Sequence, residues 1–221
     1  MKTFWRNNSL SIVLLSCFLL FWFGQSLAGH AVNNQELQEH GKSAESYLEY
    51  LSSGHFWQAT FENWESEFLQ MAAYVFLTCF LFQKGSSESK DPDKKESVDE
   101  DPQEHQDDEN APGPVKKGGW QLALYKNSLG LAMLIFFALS FTGHALGGLK
   151  EYNEEQQMRG GDAVSLSEFI STSQFWFESL QNWQSEFLAV FAIVILSIWL
   201  RQHGSPESKP VHAPHDQTGN D

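Results

Sequence analysis

A chain of 221 residues with 28 acidic and 14 basic side chains carries a formal net charge of −14, and its length admits one domain or two small ones. The charge is segregated: Asp91 to Glu109 holds about ten acidic residues against Lys94 and Lys95, while other stretches are nearly charge-free and rich in Phe, Leu, Ile and Trp. The lack of a basic patch excludes nucleic acid as a partner, and two cysteines in apolar runs, Cys17 and Cys79, exclude a disulfide framework and are expected to be buried small hydrophobes.

From the N-terminus, Lys2 and Arg6 precede an apolar run from Leu10 to Ala28. At 1.5 Å per residue such a run reaches roughly 30 Å, the thickness of a bilayer core. It has the outline of a secretory signal peptide, with a candidate cleavage site at Ser26-Leu27-Ala28. A closely similar run recurs in mid-chain, where no signal is read, so the first is expected to be retained as a span. Its Gly24 and Ala28, four residues apart, are small residues of the kind that let helices pack closely.

Ser46-x-x-Glu49 forms a capping box that opens a short amphipathic helix, expected to lie on the outer membrane surface. Trp57, Phe61, Trp64 and Phe68 then recur on one helical face. They predict a helix that starts near Phe56 and enters the membrane around Asn63. Phe68 to Phe82 would be its apolar end, and Trp57 and Trp64 its interfacial anchors. Residues 91–118 are rich in Pro, Ser and acid and poor in apolar groups, and are expected to form a disordered linker.

The second half repeats the first. A shift of 119 residues lays the chain on itself without a gap, and about twenty of 44 positions from Tyr47 to Lys90 are identical to Leu166 to Lys209, which marks a tandem duplication. Span three is Ser128 to Gly148, with Gly143 and Gly147 in the places of Gly24 and Ala28. These small residues are expected to pack spans one and three together, or to form a dimer face. Ser165-x-x-Glu168 repeats the capping box, Trp176 and Trp183 repeat the anchors, and Phe187 to Leu200 is the fourth apolar run, entered around Asn182. The division is a first two-span repeat over 1–90, the linker 91–118, a second repeat over 119–204 and a disordered tail 205–221.

Lys and Arg concentrate at the N-terminus, in the linker and in the tail, and are sparse in the other two loops. Both termini and the linker are therefore expected in the cytoplasm, and the copies should be parallel, related by a pseudo-two-fold axis along the membrane normal. The fold expected is all-α: a polytopic membrane protein of four transmembrane helices with short external helices.

Gly-[Gln/His]-x-Leu in the first span of each copy, Phe-Trp-x5-Asn-Trp-x-Ser-Glu-Phe-Leu before the second and Gln-x-Gly-Ser-x-Glu-Ser-Lys after it cover nearly the whole chain. This signature resembles a family of bacterial four-span membrane proteins described only as a domain of unknown function. The resemblance implies an inner-membrane protein and brings no activity, cofactor or catalytic residue.

Glu67 and Glu186 are the candidate polar groups inside the membrane, each roughly one turn within the core, with Asn63 and Asn182 a turn above. Two carboxylates at one depth could relay protons; the alternative reading places both at headgroup level. His144 replaces Gln25 in the second copy and is expected to pair with Glu186 or Glu178, as a relay or as a hydrogen-bonded interfacial histidine. The remaining histidines make no metal-binding pattern, and no nucleophile, phosphate-loop or dinucleotide motif occurs. The expectation is a non-enzymatic interaction module without cofactor or metal, with the bilayer as its partner, a homo-oligomer left open and no protein partner identified. The alternative is a small proton-coupled transporter or pore subunit using Glu67 and Glu186.

Overall fold

The computed structural model describes residues 2–219, with only the backbone of Lys2. The Lys2 side chain, part of the N-terminal charge count, lies outside the described residues. In chain order the helices are α1 (Lys2–Glu39), α2 (Tyr47–Tyr50), α3 (Gly54–Leu77), α4 (Gly113–Lys117), α5 (Gly119–Tyr125), α6 (Ser128–Met158), α7 (Leu166–Ile170) and α8 (Ser173–Leu196). No strand occurs among the described residues, so the fold is all-helical. Over the linker the backbone makes 3-10 turns at Ser97–Asp99 and Pro102–His105 before reaching α4.

α1 and α6 are each long and apolar enough to cross a membrane. Both run well past their apolar stretch, to Glu39 and Met158, because Gln- and Glu-rich sequence continues the helix without a breaker. Both stop at a glycine in the left-handed region, Gly41 at φ 72° and Gly160 at φ 77°. In each, the next residue's N–H reaches back to a carbonyl five residues earlier, Lys42 to Leu37 and Gly161 to Gln156, both at 2.8 Å. This is the glycine-terminated Schellman end that a Cβ would strain.

α3 and α8 start where the aromatic periodicity places them but end early, at Leu77 and Leu196 rather than at Phe82 and Leu200. The last turn loosens, and the chain folds back: the Gln83 N–H donates to the Ser89 hydroxyl and the Gln202 N–H to the Ser208 hydroxyl, both at 2.9 Å. Cys17 and Cys79, expected to be buried, are exposed, because both lie on outward-facing apolar surface. Leu10, Leu20 and Phe21 on α1, Leu139 on α6 and Leu188 on α8 are exposed as well.

Both capping boxes are formed. Ser46 accepts from the Glu49 N–H while Glu49 accepts from the Ser46 N–H, and Ser165 and Glu168 do the same. An asparagine bracket holds each following loop to the long helix. Asn34 accepts from the Glu45 N–H at 2.7 Å and donates to the Glu45 carbonyl at 3.1 Å. Asn153 makes the same two bonds with Val164, at 2.7 and 3.1 Å. Asn34→Ala and Asn153→Ala should each cost about 1–2 kcal/mol, since both leave backbone groups unmet. Thermal unfolding checks this; an unchanged midpoint in both variants contradicts it.

The chain divides into two compact units, one of 1–64 with 139–179 and one of 65–138 with 180–221. Each unit draws on both halves of the sequence. In the first, Tyr50, Phe56, Phe169 and Phe175 are fully or almost fully buried, and Phe175 packs edge-on against Phe141 and Phe169. In the second, the buried Lys209 ammonium donates to the carbonyls of Gly85, His215 and Gln217, which fastens the tail.

Candidate functional site

Small residues on α6 decide which helices meet in the first unit. A Cβ added to Gly147 would stand 2.7 Å from the Gln58 backbone nitrogen, and one on Gly143 would enter the Phe61 ring. Gly54, at the start of α3, is as tightly placed: its Cβ would lie 2.5 Å from the Glu151 nitrogen. The α3 and α6 backbones therefore run in contact, and Lys150 closes the junction by donating to the Ser52 carbonyl at 2.7 Å. Gly143 and Gly147 thus pack α6 on α3, the second helix of the first copy, rather than on α1. At Gly24 a Cβ would meet nothing within 4 Å, and Ala28 is exposed.

This close approach brings Glu62 of α3 near His144 of α6, and α8 adds Glu178 beside them. One ligating atom from each lies within 4.8 Å of the other two. His144 is fully buried, and its Nε2 is 3.4 Å from a Glu178 carboxylate oxygen. Its ring stacks on Phe175 at 4.8 Å and 22°, so the imidazole plane is held by a core residue. A buried histidine among carboxylates is costly unless charge is balanced there.

Glu62 and Glu178 also line a cavity of about 250 Å³, whose wall includes Glu36, His55, Glu151 and Glu155. Five carboxylates and one imidazole thus face one small space. Glu151, three residues past the apolar stretch of α6, has its carboxyl pushed up to about 7, first by burial and then by the charges of Glu154, Glu155 and Glu36. A bond from the His55 backbone N–H opposes this, so Glu151 caps the α3 N-terminus. Burial lowers the His55 imidazole, against the pull of Glu36 and Glu155.

Of the two carboxylates expected beside His144, Glu178 is the one in contact. Glu67 is exposed and Glu186 half-buried. Asn63 is exposed and donates to the Ala59 carbonyl at 2.7 Å; Asn182 is half-buried. Trp57 stacks on Phe61 at 5.2 Å, Trp64 packs against Phe18 and Trp22, and Trp176 meets Phe175 edge-on. In the second unit the Trp183 indole N–H donates at 2.8 Å to Glu65, which is fully buried.

Sequence reading named Glu178 but missed Glu62, Glu65 and the other cavity carboxylates, Glu36, Glu151 and Glu155. A signal for part of the cluster was nevertheless present, as departures from the repeat. Where the second copy has His144 and Glu178, the first has Gln25 and Ala59; where the first has Glu62, the second has Gln181. In the first copy Gln25 simply donates to the Ala59 carbonyl at 3.2 Å.

No curated protein matches the chain, and no solved structure does. A family model matches residues 1–220. The chain belongs to that family, described as a domain of unknown function, DUF6766.

Proposed function

We propose that the chain is a four-span protein of the bacterial inner membrane that catalyses no reaction and serves as a binding module with a cation-accepting centre. Its two duplicated hairpins lie parallel, with both termini and the linker in the cytoplasm. The observation that carries the binding role is the buried His144, flanked by Glu62 and Glu178, two residues that also line an acid-walled cavity. Such a cavity draws in cations and repels anions.

The spans are supported by the apolar α1 and α6 and by the large side chains they leave exposed, which lipid would cover. α3 from Asn63 to Leu77 gives roughly 22 Å of helix, and α8 contributes a matching segment; shorter spans of this kind are met by local thinning and interfacial anchors. Duplication is supported by capping boxes, asparagine brackets and glycine ends that recur 119 residues apart. The non-enzymatic reading follows from the sequence, which carries no nucleophile motif.

Reporter fusions after Lys94 and after Lys150 should report opposite sides of the membrane; same-side readings refute the topology. Purified protein should bind Tb³⁺, a hard cation that seeks carboxylates, and Glu36→Gln/Glu155→Gln should weaken that binding about tenfold. Binding unaffected by these changes would defeat the cation-accepting centre. Flux in proteoliposomes that is lost in Glu67→Gln/Glu186→Gln would instead establish the transporter reading.

A further inference from the structure

Resting on that reading and narrowing it, we infer that Glu62, His144 and Glu178 form a site for a divalent transition-metal ion of the zinc class, His144 giving Nε2 and each glutamate one carboxylate oxygen.

The donor set comes first. One imidazole nitrogen with two carboxylate oxygens suits Zn²⁺ and its first-row neighbours, whereas Ca²⁺ and Mg²⁺ take oxygen alone. One nitrogen and two oxygens are also the ligand number of an open zinc site, which leaves a fourth corner to water.

Spacing comes second. Bonds of about 2.0–2.1 Å to a tetrahedral ion put ligand atoms about 3.3 Å apart. The His144 to Glu178 separation of 3.4 Å already has that value. The widest separation in the group is no more than 4.8 Å, so the third ligand has at most about 1.5 Å to travel. Glutamate side chains cover such a distance by rotamer change, while the ring of His144 is fixed by Phe175 and by complete burial.

The chain also contains its own control. The first copy fills the places of His144 and Glu178 with Gln25 and Ala59, and joins them by one ordinary hydrogen bond. Packing between these helices therefore needs neither an imidazole nor a carboxylate. The second copy replaces both with metal-ligating types, and α3 brings a third where the repeat has Gln181. A bound dication would balance the two carboxylates, and the acid-lined cavity that Glu62 and Glu178 share gives it a route in.

Chelator-stripped full-length protein in detergent or nanodiscs is titrated with Zn²⁺ in competition with a chromophoric chelator, and with Co²⁺ read by its visible absorption. One equivalent should bind, and Co²⁺ should give the intense bands of a four-coordinate site. His144→Gln, Glu178→Ala and Glu62→Gln each install the residue that the other copy carries, and monodisperse yield and thermal unfolding check that each variant is folded. Each should weaken Zn²⁺ at least a hundredfold and abolish the Co²⁺ bands. Tb³⁺ binding should survive His144→Gln. Zn²⁺ binding that is absent, or unmoved by His144→Gln, overturns the site and leaves a structural His144–Glu178 pair. If Tb³⁺ still binds in that case, the acidic centre stands without the metal; if neither ion binds, both readings fall.

Discussion

Gly147→Leu should prevent the folded protein from being recovered, and Gly147→Ala should cost it about 2–3 kcal/mol. The Cβ of even an alanine would sit 2.7 Å from the Gln58 nitrogen and 3.1 Å from the Trp57 carbonyl carbon. Both are backbone atoms of α3, so no side chain can swing aside, and relief requires the helices to part. Parting them also exposes the buried His144 and separates it from Glu62. Gly24→Ala is the matched control. With nothing within 4 Å of its Cβ, it should change stability by less than about 0.5 kcal/mol. Monodisperse yield and thermal midpoint measure both. Equal losses at the two glycines would mean that backbone approach does not set the sensitivity, since helix propensity by itself favours alanine at both positions.

Glu151→Gln should raise the thermal midpoint above pH 7 and leave it unchanged below pH 5. The Glu151 carboxyl is raised from 4.5 to about 7, by burial and then by Glu154 and Glu155 on its own helix and Glu36 from α1. His55, packed from α3, donates its backbone N–H in opposition. The folded chain thus keeps a proton that the unfolded chain releases near its ordinary value. Between those two values the unfolded state binds fewer protons, so stability falls as pH rises. The contribution is complete below about pH 4.5 and gone once pH exceeds about 7. At one decade per 1.36 kcal/mol the loss at pH 8 is at most about 3 kcal/mol, and screening in the open cavity reduces it. Glutamine has no charge to lose and can still accept from His55. Equal shifts at pH 5 and pH 8 would show that the effect lies in packing rather than in ionisation.

Much of the chain's local structure is written in short-range pattern. The capping boxes at Ser46 and Ser165, the starts of α3 and α8, and the apolar reach of α1 and α6 each depend on residues within a turn or two of one another. Helix ends were less legible. α1 and α6 continue through polar sequence until Gly41 and Gly160, since a helix stops where the backbone offers an end rather than where hydrophobicity does. α3 and α8 end before their apolar residues do, because the turn that follows ties Gln83 to Ser89 and Gln202 to Ser208.

The sequence by itself determined an all-helical chain, its caps and the two helices apolar enough to cross a bilayer, because these rest on periodicity and local hydrogen bonds. Only the tertiary structure decided that Glu62, His144 and Glu178 meet. They stand on three helices far apart in sequence: the backbone contact that Gly147 and Gly54 permit joins α3 to α6, and Phe175, packed on Phe141 and His144, holds α8 beside them. A missing side chain makes that contact, and no spacing rule along one strand of sequence encodes which distant backbone will fill the space.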